Sequence, residues 1–379
     1  MPVKRLIFLR ETNFAPCVLI IGAIFIFWMS KTFYKGLGKN EEWPDITGIN
    51  PVSLTYDDVL LVPQDSKIVS RSHVTTKVKF GPYLLEKPII SAPMDTVSGE
   101  KMARELARLG AIGTIPRGDI NERLKICEAF SSENIPAVYC VGLKNGFEEA
   151  KLLKEKGAKV ILVDVAHGGM MQVKELARKI KKELDLFVIA GNIVSFDEAN
   201  EYKNNNIDVA RVGVGPGGTC ITRLVAGSGF PQLSAVFDTS SSGITVIADG
   251  GLKTSGNFAK AIAAGATLAM FGSIFAGYDE TPGEINGDKK VARGQASASY
   301  MKDNGVETGE FRTAEGVTLE VSTKGPIEKL INELTGGLRS AMTYAGAETI
   351  EEFQEKSVFC MISSAAREES KPWLSEYTK

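Results

Sequence analysis

Between residues 88 and 271 the chain repeats one unit: a short apolar, β-branched run, then a polar and apolar stretch of helical spacing, then another apolar run. The period is roughly 25 residues. The candidate strands are 88–91, 111–115, 137–141, 160–165, 187–190, 209–214, 245–248 and 267–271, eight in all. Between them lie amphipathic segments such as 146–156 and 171–183, whose apolar residues recur three and four apart. Eight successive βα units predict a (β/α)8 TIM barrel of the α/β class rather than an open doubly wound sheet. Such a barrel carries its chemistry at the carboxyl ends of its strands.

The residues that follow each strand therefore define one candidate rim: Met94 and Asp95, Asp164 and His167, Asn192, Cys220, Asp249, then Gly272 and Ser273. The glycines after the seventh and eighth strands fall where barrels hold phosphate on backbone amides. Taken singly these are weak signals, because an Asp at a strand end often caps a helix and DGG is a common turn. Their coincidence on one face carries the reading. The stretch 213–223, GVGPGGTCITR, adds a cysteine to a loop with four glycines in six residues. Glycines allow positive φ and close backbone approach, so Cys220 reads as a covalent nucleophile, against the alternative of a small buried hydrophobe.

Composition removes other classes. Lys plus Arg total 44 against 46 Asp plus Glu, so no global field points to nucleic acid. The five cysteines, at 17, 127, 140, 220 and 360, show neither metal-ligand spacing nor a disulfide pattern, which implies a reducing compartment and a cytoplasmic catalytic domain. His73 and His167, the only histidines, give little support to a zinc site or a Ser-His-Asp hydrolase. Residues 1–40 read as an appendage to a catalytic domain over 41–379. Within them 14–29 form an uncharged run of 16, short against the roughly 20 apolar residues of a spanning helix, readable as a membrane anchor or as a leader.

In order along the chain, LTYDDVLLVPQ, SAPMDTVSG, AGN, GVGPGGTCITR, IADGG and FGSIFAG resemble the IMP dehydrogenase and GMP reductase family of purine nucleotide oxidoreductases over about residues 50–350. The family's tandem CBS insertion after the second strand is absent here. The resemblance implies that Cys220 attacks purine C2 while a nicotinamide cofactor exchanges hydride at that carbon. It implies that Asp249 binds ribose, that Gly218, Gly250, Gly251, Gly272 and Ser273 surround the 5′-phosphate, and that Met94, Ser297, Arg312 and Gly316 approach the base. Asp164, Ala166, His167 and Asn192 would face the cofactor, and carbonyls of Gly215, Gly217 and Cys220 would offer a potassium site. A homotetramer is also implied.

Within the family the reductase pattern fits better. Dehydrogenases carry an Arg-Tyr pair on a mobile flap to activate water, and no Arg-Tyr dipeptide occurs in this chain. The corresponding segment, 294–325, contains EFRTAEGVTLEV, where Thr222 and Glu315 match the reductase's Thr-Glu pair. Loss of ammonia from C2 needs a proton on a poor leaving group, which a hydroxyl bridged to a carboxyl can relay. VDVAHGG and GGLRSAMTYAGA resemble reductase segments too. Just before the latter, Pro326 opens a packing helix with Ile327, Leu330, Ile331 and Leu334 on one face. The expectation is an NADPH-dependent GMP reductase acting on GMP. IMP dehydrogenase is the nearest alternative, and a non-catalytic, membrane-tethered purine nucleotide-binding protein a third. Gly218, Ala92 and Gln295 depart from the family pattern and bear on affinity and base selectivity.

Overall fold

The computed structural model describes residues 53–371 apart from 284, 306 and 307; the apolar run 14–29 lies outside the described residues. Three short strands come first: β1 (Val59–Leu61), then a hairpin of β2 (Val78–Phe80) and β3 (Tyr83–Leu85). Eight parallel strands follow: β4 (Ile89–Ser91), β5 (Gly113–Ile115), β6 (Ala137–Val141), β7 (Val160–Asp164), β8 (Phe187–Ile193), β9 (Val209–Val212), β10 (Thr245–Asp249) and β11 (Leu268–Phe271). Their order, β4-β11-β10-β9-β8-β7-β6-β5, becomes a ring through a parallel bridge between Ile90 and Ile112. The Ile112 N–H donates to the Ile89 carbonyl at 3.1 Å across that seam. This is the (β/α)8 barrel that the repeat predicts.

Most strands are buried along their whole length, as in β6 and β7, with only end residues of β8 and β10 half-buried, because helices cover the outside and side chains fill the inside. That is why they read as unbroken apolar runs rather than alternating ones. Polar residues fix several helix starts: Asp119 accepts from the Glu122 N–H, Ser195 from Glu198 and Thr254 from Asn257. Only residues 116–119 separate β5 from the helix Ile120–Ser132, so no domain is inserted there. A second antiparallel hairpin, β12 (Lys289–Arg293) with β13 (Thr318–Ser322), projects from the loop after β11. Last comes β14 (Phe359–Met361), which pairs antiparallel with β1 and ties the two ends of the described chain together.

Several strand ends differ from the sequence reading by one or two residues, with β5 starting at Gly113 and β9 ending at Val212, and two further differences stand out. β8 runs on through Gly191 and Asn192 to Ile193 by a register shift, where the glycine and asparagine of AGN suggest a loop. The helix expected from Pro326 begins at Glu328 and continues to Tyr344, through Gly336 and Gly337. Ile331 and Leu334 are buried in it as expected, with Leu338 and Met342 extending the stripe, and Leu330 is half-buried.

The paired glycines of that helix have opposite surroundings. A Cβ at Gly337 would lie 2.3 Å from Ser255 Cβ, at the start of the helix Ser255–Ala263, whereas a Cβ at Gly336 meets nothing within 4 Å. Gly337 therefore permits close helix contact, and Gly336 only costs helix propensity. Gly336→Ala should raise stability by about 0.5–1 kcal/mol. Gly337→Ala should lower it by about 1–3 kcal/mol through overpacking. Urea midpoints at an unchanged slope measure both, and equal effects would contradict the packing argument.

Candidate active site

The loop after β9 can meet the loop after β10 only because glycines stand at the contacts. Gly213 has φ +141°, and a Cβ there would lie 2.1 Å from the Asp249 carbonyl oxygen. Gly250 has φ +94°, with Pro216 Cγ 2.9 Å from its Cβ position, and the Gly251 N–H donates to the Pro216 carbonyl at 3.1 Å. Backbone and backbone thus interlock at the rim. The half-buried Cys220 thiol donates to Thr222 Oγ1 at 3.2 Å, and its own N–H donates to the Gly217 carbonyl at 3.1 Å.

The segment 294–317 closes over this loop through main-chain bonds. Ile221 N–H donates to the Glu315 carbonyl at 2.8 Å, Val317 N–H to the Thr219 carbonyl at 2.9 Å, and Cys220 bridges Gly316 antiparallel. The amides of Glu315 and Gly316 in turn donate to the Ala296 carbonyl at 3.0 and 3.1 Å. Glu315 is thereby fixed one residue from the stretch that pairs with the cysteine, and it is half-buried.

Beneath the loops lies a charge cluster whose carboxylates, Asp164 and Asp249, the sequence reading named and whose arginines, Arg117 and Arg211, it missed. In the barrel register Asp164 on β7 pairs with Gly191 on β8, and Gly191 with Arg211 on β9. A Cβ at Gly191 would lie 2.6 Å from Arg211 Cβ, so its absence leaves the arginine free to cross β8. Arg211 Nη1 donates to Asp164 Oδ1 at 2.6 Å and its Nε to Asp249 Oδ2 at 2.9 Å. Arg117 Nε takes the other Asp164 oxygen at 3.2 Å. Burial alone opposes the charge on Arg211, but Asp249 and Asp164 outweigh it, and the guanidinium is held above its ordinary range. The available signal was a charged residue inside the apolar run VARVG.

Asn192, placed by the β8 irregularity, donates from Nδ2 to the Gly213 carbonyl at 2.7 Å and to Asp249 Oδ2 at 2.8 Å. Its Oδ1 is a buried acceptor without a partner, in a residue that helps to line a cavity of about 830 Å³. An N–H-bearing group such as a carboxamide fits that acceptor.

The same cavity brings together Cys220, Thr222, Glu315, Met94, Asp249, Gly250, Gly251, Gly272, Ser273, Arg312 and Gly316, together with Asp164, Ala166, His167, Gly215, Gly217 and Gly218. Ser297 is the exception. It is buried, it bridges the lining residue Gly316, and its hydroxyl accepts from the Tyr300 N–H, capping the helix Ala298–Asp303. Ala92, although buried, lines the cavity beside Gly272, and Gln295, also in its lining, donates to the Pro93 carbonyl. At Gly218 a Cβ would fall 2.7 Å from Ser273 Oγ, so the Ser273 hydroxyl occupies the space a side chain at 218 would need. Among the described residues no group of three or more His, Cys, Asp or Glu could hold a metal ion. Any cation in the cysteine loop would rest on main-chain carbonyls.

Residues 53–373 match the family model for the IMP dehydrogenase / GMP reductase domain. The chain belongs to the IMP dehydrogenase / GMP reductase family. Among curated relatives, inosine-5′-monophosphate dehydrogenase of Cryptosporidium parvum is 36% identical over 377 residues, covering 84% of this chain and 94% of its own. GMP reductase of Ligilactobacillus salivarius is 36% identical over 307 residues, covering 78% and 92%. A crystal structure of a GMP reductase variant from Trypanosoma brucei in complex with guanosine 5′-monophosphate superimposes with a TM-score of 0.80 at 27% identity, covering 86% of this chain and 98% of that one. Family membership makes the protein an oxidoreductase, and the cavity at the strand ends is its candidate active site.

The charge cluster gives a test that is independent of turnover. In this family member Asp164 is 3% exposed at its side chain and Arg211 11%, so removing the cation leaves carboxylate charge buried. Arg211→Met should cost about 3–5 kcal/mol of stability. Adding Asp164→Asn should recover part of it, so that the double variant has the higher urea midpoint. A double variant no more stable than Arg211→Met would show that the buried carboxylate is not the source of the loss.

Proposed function

We propose that the protein is an NADPH-dependent GMP reductase, converting GMP to IMP and ammonia through a covalent bond between Cys220 Sγ and purine C2. The observation that carries this reading is the 3.2 Å contact between Cys220 Sγ and Thr222 Oγ1, with Glu315 held alongside by the Ile221 amide. A thiol is a weak nucleophile until its proton has somewhere to go. Thr222 is the first acceptor, and Glu315 the carboxyl group beyond it. As Sγ bonds to C2, the same pair returns a proton to the 2-amino group, the C2–N bond breaks, and ammonia leaves. NADPH, when bound, supplies the hydride that reduces C2. The C2–Sγ bond then breaks with its electron pair returning to sulfur, which releases IMP.

Binding follows from the same rim. Asp249, half-exposed beside Arg211 and Asn192, is suited to ribose hydroxyls, and the interlocked glycines with Ser273 to the 5′-phosphate. The Ser273 hydroxyl beside Gly218 stands in for a side chain at 218. Arg312, exposed on a turn closed by Gly309, and Met94 flank the base end. The orphan Asn192 Oδ1 would accept from the nicotinamide carboxamide, and Asp164 acts there through the arginines it orients. Residues 294–325 are read as the flap of a catalytic domain spanning 41–379, and a homotetramer and a potassium ion on the Gly215, Gly217 and Cys220 carbonyls go with the family reading. Among the described residues no helix is long and apolar enough to cross a membrane.

One observation favours a second reading. The Cryptosporidium parvum relative is a dehydrogenase and covers the larger share of the chain. A dehydrogenase would have to activate water without an Arg-Tyr pair, which this sequence lacks.

Absorbance at the reduced-nicotinamide band decides between them. Purified protein with GMP should oxidise NADPH, and Cys220→Ala should abolish turnover while still binding GMP. Glu315→Gln and Thr222→Val should each lower kcat about 100-fold or more, the scale of lost proton transfer, with a smaller change in KM. NAD reduction with IMP would establish the dehydrogenase instead. GMP binding with no turnover in either direction would leave a nucleotide-binding protein.

A further inference from the structure

Lys290 lies in β12, outside the cavity, and is 4% exposed. Among the described residues its ammonium pairs with no carboxylate. It donates instead to the Tyr278 carbonyl at 3.0 Å, the Asp279 carbonyl at 3.4 Å, and the carbonyl and hydroxyl of Thr281 at 3.0 and 3.2 Å. Burying an ammonium is expensive unless its protons are all engaged, and four oxygens from one turn do that here without an ion pair. A leucine or methionine would fill the same space at no such cost. The arrangement needs another reason.

Its position supplies one. The turn 278–281 follows Gly272 and Ser273 by a few residues, on the loop after the last barrel strand, whereas Lys290 belongs to the hairpin. The other arm is fastened to the same loop: Lys324 N–H donates to the Gly277 carbonyl at 2.9 Å and Asp279 N–H to the Gly325 carbonyl at 3.0 Å. From these fixed points the two strands run together to the site. β12 leads through Gly294 to Ala296, whose carbonyl holds the Glu315 and Gly316 amides, and β13 begins two residues beyond Gly316. Arg293, three residues past Lys290, adds an ion pair with Asp95 at 2.5 Å.

We propose that Lys290 is a positioning residue, whose ammonium, sealed in the oxygen cage of Tyr278, Asp279 and Thr281, locks the β12–β13 hairpin to the barrel and so sets where Glu315 meets the Cys220 loop. The proposal rests on the reductase reading for its kinetic consequence, and on the geometry alone for the anchoring.

Two variants of the full chain test it. Lys290→Met removes the charge and keeps the bulk; Lys290→Ala opens a space that a small alkylammonium ion can enter. Hydrogen exchange followed by mass spectrometry should show amides of 289–293 and 318–322 exchanging at least tenfold faster in Lys290→Met, with 245–249 and 268–271 unchanged. In steady state kcat should fall tenfold or more with KM for GMP within threefold. Propylammonium, but not tetramethylammonium, should restore at least half of both the protection and kcat in Lys290→Ala, with no effect on the unsubstituted protein. Exchange that rises equally throughout the barrel, protection that does not change, or no alkylammonium rescue would each overturn the anchoring role. Intact anchoring behaviour without GMP turnover in the unsubstituted protein would instead remove the reductase reading and leave the anchor standing.

Discussion

One guanidinium holds the mouth of this barrel together. Arg211 reaches Asp164 two strands away across the bare backbone of Gly191, and it reaches Asp249 on the neighbouring strand with the other edge of the same fork. A planar cation with five donors can satisfy two carboxylates in different directions, and a lysine at the same position could not. The consequence extends past the three residues. Asp249 is also fixed by Asn192, and Asn192 by the Gly213 carbonyl, so the loops after β8, β9 and β10 share one hydrogen-bonded network. The cysteine loop starts from that Gly213.

The covering segment depends on a different kind of interaction. Its bonds to the cysteine loop, Ile221 to Glu315 and Val317 to Thr219, are main chain to main chain, as are the bonds of Glu315 and Gly316 to Ala296 within the segment. Such bonds fix spacing without requiring particular side chains, which leaves Glu315, Arg312 and Thr313 free to face the cavity. They are also individually modest, on the order of 1 kcal/mol each in net terms. On the reading of this segment as a flap, it would open as a unit while its two strands remain attached to the barrel at their far end.

The fold was legible because each barrel strand is buried on both sides and each helix on one, so the two periodicities alternate without interruption. All eight predicted strands correspond to observed ones; most ends moved by one or two residues, as at Gly113 and Val212, and the largest shift is the irregular stretch at Gly191 and Asn192. The rim residues were legible for the same reason, since strand ends locate them. Ser297 shows the limit of that logic. Its position along the chain is near the site, but helix capping claims its hydroxyl, and sequence does not reveal which of two hydrogen-bonding tasks a serine performs. Arg211 shows the converse. A charge in an apolar strand looks like an interruption until its partners are known, and those partners lie 38 and 47 residues away.

The position of Thr222 bears on the order of events in the proposed chemistry. A thiol that donates to a hydroxyl is still a thiol, and the hydroxyl can take the proton only if it passes its own onward. The relay therefore runs through Thr222 only when Glu315 is close enough to accept, which in this fold is decided by the covering segment and not by the barrel. A barrel with the segment lifted would keep its glycine rim and Asp249, and so could still bind a nucleotide, but its cysteine would lack an outlet for the proton. On the proposed chemistry, nucleotide binding and thiol activation would be separable in this architecture: the first would belong to the loops interlocked around Gly213 and Gly250, the second to the segment that carries Glu315.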